Sequence, residues 1–139
     1  MTDPFDLARF VEAQEHSYAD ALAELRRGRK TSHWMWFVFP QLRDLGQSPT
    51  AKHFGIASLA EARAYLAHPL LGPRLIAACE ALIGATGDAT AILGGVDAMK
   101  LRSSMTLFAA AADDPAPFTA VLSRFFNGEG DRLTIDLLG

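Results

Sequence analysis

The sequence predicts an all-α fold, a single compact domain of about eight unequal, irregularly packed helices. Three observations predict it. Apolar residues recur at the 3.6-residue helical period and almost never in strict alternation. Ser, Asp and Pro stand where these stripes begin, and Gly stands where they end. Half of the 139 residues are hydrophobic and 21% are charged, which is enough for a core and too few charges for a disordered chain. A chain of this length makes one domain, and no repeat or low-complexity linker divides residues 1–139.

Taken in order, Asp3 serves as an N-cap and Pro4 as the first helical residue. Leu7, Phe10, Val11, Ala21, Leu22 and Leu25 follow a helical stripe that Gln14 and Tyr18 interrupt. A break near Ser17 gives two shorter helices, and Gly28 after Arg26-Arg27 is the C-cap. The run Ser32-His33-Trp34-Met35-Trp36-Phe37-Val38-Phe39-Pro40-Gln41 has the composition of a strand. It has no partner strand to satisfy its backbone, so it is expected as a short buried helix entered from Ser32 and ended by Pro40.

Ser48-Pro49 opens a short helix to about Phe54. Ser58 and Glu61 form a capping box for a helix with Leu59, Ala62 and Leu66 inward, ending near His68 before Pro69. Pro73 opens the next helix, with Leu75, Ala78, Cys79, Leu82 and Ile83 inward, and Asp88 caps a short turn through Leu93. After Gly94-Gly95 a long helix starts at Val96 or Asp97. Its inward face is Leu101, Ser104, Met105 and Phe108, and Arg102, Ser103 and Thr106 lie opposite. A further helix carries Phe118, Val121, Leu122, Phe125 and Phe126, and Asp131 caps a last turn over 133–138.

Composition excludes several functions. A net charge of −3 lacks the basic excess of a nucleic-acid binder, so no nucleic acid is expected as a partner. One cysteine precludes an intrachain disulfide and a multi-cysteine zinc site. His16, His53 and His68 have no metal-ligand spacing, and no dinucleotide or Walker motif is present, so neither metal nor cofactor is expected. The opening Met1-Thr2-Asp3-Pro4-Phe5-Asp6 has no leader character, and no apolar run reaches 18 residues. The expectation is a soluble, cytoplasmic protein with no membrane partner.

Polar groups on apolar faces are the candidates for chemistry. Gln14 and Tyr18 either pair within the core or line a pocket. Trp34 and Trp36, two residues apart, diverge by about 200° on a helix, so one of them faces away from the main core. Beside them His33 can titrate near neutrality and is the one candidate catalytic residue, a general acid or base, while Gln41 adds an amide. On the long helix, Lys100, Arg102, Ser103, Ser104 and Thr106 offer two cations and three hydroxyls. The plainer reading of these hydroxyls is back-bonding to helix carbonyls. Lys100 with Ser103 or Ser104 reverses the S-x-x-K order and is not read as a nucleophile pair.

Four blocks carry a family likeness. These are Asp3-Pro4-Phe5-Asp6-Leu7 with Arg9-Phe10-Val11 and Ala13-Gln14, Ser32-His33-Trp34-Met35-Trp36-Phe37-Val38-Phe39-Pro40-Gln41, Tyr65-Leu66 with His68-Pro69 and Leu71, and Asp97 with Lys100-Leu101 and Ser103-Ser104-Met105-Thr106-Leu107-Phe108. Together they resemble the bacterial family catalogued as domain of unknown function 1810, over nearly the whole chain. The resemblance implies a small, mainly helical fold and no established activity. Some members are labelled calpastatin, a disordered inhibitor that this half-hydrophobic chain does not fit.

Two functions follow from the residues. One is a small-ligand domain that binds an anionic, ring-containing, nucleotide-like molecule between residues 33–41 and 100–106, with Gln14 and Tyr18 nearby. The other is a non-enzymatic interaction or dimerisation module.

Overall fold

Ten α-helices follow one another in the computed structural model, which describes residues 3–139. Met1 and Thr2, part of the stretch inspected for a leader, lie outside the described residues. The helices are α1 (Ala8–Glu15), α2 (Tyr18–Arg27), α3 (Met35–Val38), α4 (Pro49–His53) and α5 (Leu59–Ala67). They continue with α6 (Leu71–Gly84), α7 (Ala89–Leu93), α8 (Gly95–Ala111), α9 (Ala116–Phe126) and α10 (Arg132–Leu138). A single 3-10 turn, Arg43–Leu45, precedes α4. The sheet-like pairing among the described residues is one parallel bridge, Leu42 to Ile56. The all-α prediction holds, with more helices than the expected eight because several are only one turn long.

Side-chain caps fix many of the starts. Ser48, Ser58, Asp88 and Asp131 each accept the N–H three residues on, at 3.1, 3.2, 2.8 and 3.0 Å, opening α4, α5, α7 and α10. Gly28 ends α2 at φ 77°, where a side chain would be strained.

Three starts differ from expectation. The helix expected from Ser32 begins only at Met35, because the Ser32 N–H and hydroxyl are both given to the Glu24 carboxylate and Trp34 takes the N-cap. Pro4 lies in a turn, and α1 begins only at Ala8. Asp6, at φ 52°, breaks the helix first, and the Asp3 carboxylate reaches past it to the N–H groups of Leu7 and Ala8 at 2.8 and 2.9 Å. At α6 the start moves two residues ahead of Pro73. His68 Nδ1 accepts the N–H groups of Leu70 and Leu71 at 3.1 and 3.3 Å, so an imidazole does the capping. Pro73 then sits in the first turn, where its missing N–H costs nothing.

The core is built around α8, which packs against α5, α7, α9 and α10. An aromatic line crosses it: Phe10 to Tyr65 at 5.2 Å, Tyr65 to Phe108 at 5.3 Å, and Phe108 to Phe118 at 5.9 Å. These contacts tie α1, α5, α8 and α9. Ser103 and Thr106, expected on the outer side of this helix, are buried. The reason is the chain's return after α9: Asp131 donates its N–H to Thr106 Oγ1 at 2.8 Å, and α10 covers that face. Cys79 lies in the core between α6 and α8, its Sγ 3.6 Å from Met105 Sδ, and burial pushes its thiol above the ordinary range. No single described helix is long and apolar enough to cross a membrane.

Candidate functional site

The two tryptophans have different surroundings, Trp36 inside α3 and Trp34 at its N-cap with φ −139° and ψ 2°. Trp34 is fully buried, and its Nε1–H donates to Glu24 Oε1 at 3.0 Å. The same carboxylate accepts the N–H groups of Thr31 and Ser32, at 2.6 and 2.9 Å, and the Ser32 hydroxyl. Burial pushes the Glu24 carboxyl up, but donors from Ser32, Thr31 and Trp34 outweigh it and hold the group at about 2.

Trp36 is half-buried, and Lys100 Nζ stands 4.7 Å from its ring centroid. Lys30 Nζ stands likewise 5.2 Å from the ring of Trp34. One carboxylate joins the two ammonium groups. Asp97 is 2.9 Å from Lys30 and 3.6 Å from Lys100. Two cations share one anion, and the closer bond goes to Lys30.

Lys100 also lines a cleft of about 230 Å³ with Gln41, Leu45, Val96, Met99 and Ser103. Asp131 and Leu133, at the start of α10, close its far side. The fold thus brings Gln41, Lys100 and Ser103 together, with Trp36 behind the ammonium. His33 is exposed and is not among the residues that line this cleft.

The other candidates sit elsewhere. Gln14 is buried, donating from Nε2 to the Phe37 carbonyl at 2.6 Å and to Tyr65 Oη at 3.0 Å. Arg74 Nη1 donates to Gln14 Oε1 at 3.4 Å, and Tyr18 Oη donates to the Arg74 carbonyl at 2.8 Å. Burial pushes the Tyr18 phenol up, with the charges of Arg74 and Arg26 acting against it. Arg102 donates to Glu129, at 3.0 Å to its carbonyl and 3.4 Å to its carboxylate. The Ser103 and Thr106 hydroxyls donate to the carbonyls of Met99 and Arg102, four residues back, at 3.2 and 2.7 Å. Ser104 Oγ is the one buried side-chain polar atom without a partner among the described residues.

A family model described as "Protein of unknown function (DUF1810)" matches residues 4–138. The chain belongs to the DUF1810 family. A solved structure of the conserved hypothetical protein Rv1873 from Mycobacterium tuberculosis is similar, at 53% identity over 98% of each chain with a TM-score of 0.96. No curated protein matches the chain.

One polar centre of this family member escaped the sequence reading. Arg9 is buried on α1 and spends its whole guanidinium on the protein. Nε donates to the His53 carbonyl at 2.8 Å, and Nη1 to the carbonyls of Phe5 and Asp6 at 2.6 and 2.8 Å. Nη2 donates to the Gly55 carbonyl at 3.0 Å and to Glu61 Oε2 at 2.7 Å. Glu61, expected only as a capping-box residue, accepts this charge and the N–H of Ala57 at 3.1 Å. The available signal was an arginine between Leu7 and Phe10 on an apolar stripe. Among the described residues no group of three or more His, Cys, Asp or Glu is placed to hold a metal ion.

Proposed function

We propose that this DUF1810 protein is a small-molecule-binding domain whose site is the cleft between α8, the segment 41–45 and the start of α10. The ligand is a small anion with one compact ring or apolar group. The observation that carries this reading is the unequal sharing of Asp97: its carboxylate lies nearer Lys30, which leaves Lys100 only partly neutralised at the cleft, where the one further carboxylate, Asp131, is occupied in accepting the N–H and hydroxyl of Thr134.

The indole of Trp36 holds that ammonium in place, so little side-chain freedom is lost when an anion binds. Gln41 adds an amide, and Leu45, Val96, Met99 and Leu133 offer apolar contact to the body of the ligand. Size narrows the class. A cleft of about 230 Å³ is below the ~300–1,000 Å³ typical of drug-sized ligands, so a monocyclic anion fits and a dinucleotide does not. The reading is one of binding rather than catalysis, because the imidazole that would do acid–base work, His33, does not line the cleft.

Thermal shift against benzoate, nicotinate, ribose 5-phosphate and AMP, with benzamide as the neutral control, tests it. A ligand at 100 times its Kd adds about 2.7 kcal/mol. The expected result is a rise in Tm with a monocyclic anion, none with benzamide, and loss of the rise in Lys100→Gln and at high salt. No rise with any probe, or one that Lys100→Gln leaves intact, overturns the proposal.

One observation favours a second reading, an interaction or dimerisation surface. Val96, Met99 and Leu133 around the cleft are 70%, 72% and 64% exposed. Under that reading sedimentation velocity shows association that Met99→Glu abolishes. A strict monomer at all concentrations tested removes it.

A further inference from the structure

A second cleft, about 480 Å³, opens over the Arg9–Glu61 pair. Its charges divide into two sets. The floor pair is buried and neutral in sum, and every Arg9 N–H is already committed to the protein. The rim carries the cations Arg43 and Lys52, with the imidazole of His53 beside them, facing a single further carboxylate, Asp6. Neither Arg43 nor Lys52 forms an ion pair among the described residues. Asp44 lies with them only in the neighbouring cleft.

The backbone under these cations is pinned. Arg43 N–H donates to the Ile56 carbonyl at 2.8 Å, and Ile56 N–H to the Gln41 carbonyl at 2.9 Å. Gly55 passes so close that a Cβ there would stand 2.4 Å from Arg43 Cα, which admits only glycine. Arg9 holds the carbonyls of His53 and Gly55 on the other side. The cation rim is therefore built on fixed backbone and not on a loose loop.

Pro4 and Phe5, one wall of this cleft, are also a wall of a larger groove of about 680 Å³. That groove is lined mainly by apolar groups, among them Val11, Ala64, Pro69 and Leu70. Its two polar neighbours are occupied: Asp3 caps α1, and His68 Nδ1 caps α6. A cationic cleft and an apolar groove thus meet at one turn.

We propose that the two together bind a single amphipathic anion, with a carboxylate or phosphate head at Arg43, Lys52 and His53 and a hydrocarbon body past Phe5 along Val11, Ala64 and Leu70. Charge complementarity selects the head, and the adjoining apolar wall selects the body. This site is separate from the α8 cleft and does not depend on it.

Calorimetric titration below the micelle concentration tests the proposal with decanoate, decyl phosphate, decanol and inorganic phosphate. Decanoate or decyl phosphate should bind, and whichever is tighter names the head group. The double variant Arg43→Gln, Lys52→Gln should weaken that binding about tenfold, as two exposed charge contacts would. Leu70→Asp should weaken it by changing the body's wall. Both changes fall on exposed residues, and circular dichroism checks that each variant folds. No binding of either amphiphile overturns the proposal. Decanol binding as well as the anions removes the role of the cations, and inorganic phosphate binding as well removes the role of the groove. Binding lost in Lys100→Gln but kept in the double variant assigns the ligand to the α8 cleft, which ends this inference and leaves the other standing.

Discussion

Glu24 and Glu61 are both buried, at 5% and 2% exposure, yet different surroundings keep their charges inside the protein. Glu24 forms no ion pair among the described residues. It is held by neutral donors from residues 31, 32 and 34, all within ten positions of the chain. Glu61 is held by a guanidinium from 52 positions away. The first arrangement fixes the local path from α2 into the tryptophan segment. The second fixes tertiary structure, because the same guanidinium also gathers the carbonyls of residues 5, 6, 53 and 55. A buried carboxylate therefore does not by itself signal a catalytic acid; who donates to it decides what it does.

The sharpest way to break the comparison is Glu61→Gln. It leaves the Arg9 charge buried without its counter-ion, and urea denaturation should show a loss of roughly 3–5 kcal/mol. A loss below about 1 kcal/mol would mean that the four carbonyls alone satisfy Arg9. Replacing both partners by Met and Leu should not recover the loss, since those carbonyls would then be stranded.

Glu24→Gln comes next. It removes hydrogen bonds to a charged acceptor and turns an amide N–H toward groups that are themselves donors, at a cost of roughly 1.5–3 kcal/mol. Its pH dependence follows from the lowered carboxyl. Because the folded group sits at about 2 against an ordinary 4.5, its contribution is complete above pH 4.5 and is lost as the pH falls toward 2. The gap in urea midpoint between wild type and Glu24→Gln should accordingly close between those two values. A gap that is constant over that range would show that the charge is not what matters.

The smallest effect belongs to Ser104, the buried hydroxyl that neither kind of arrangement serves. Ser104→Ala should change stability by less than about 0.5 kcal/mol, or raise it, because no hydrogen bond is lost. A loss above about 1 kcal/mol would reveal a bond made in solution.

The same contrast explains what could be read in advance. Caps at Ser48, Ser58, Asp88 and Asp131 act over three residues, so the sequence displays them whole. That Trp34 and Trp36 would not share one environment was legible too, although the reason differs from the one expected: Trp34 stands at the N-cap of α3 and not inside the helix. Which indole is buried was not legible, because that depends on Glu24 and Lys100 from other elements. The outer face assigned to Ser103 and Thr106 failed because α10 returns over it from beyond Gly128, a packing choice with no local signature. Gln41, Lys100 and Ser103 do share a cleft, but His33 does not join them, and the Arg9 centre was hidden by partners some 44 to 52 positions away.

The chain has one thiol, Cys79, pressed against Met105 at the middle of the core. In the folded molecule it is neither exposed nor ionised, so an alkylating reagent has nothing to attack. Labelling must wait until α6 and α8 separate, and when labelling outpaces reclosing its rate becomes the rate of opening itself. The protein thus carries its own clock for the opening of its core, with no label to introduce and no second cysteine to confuse the reading.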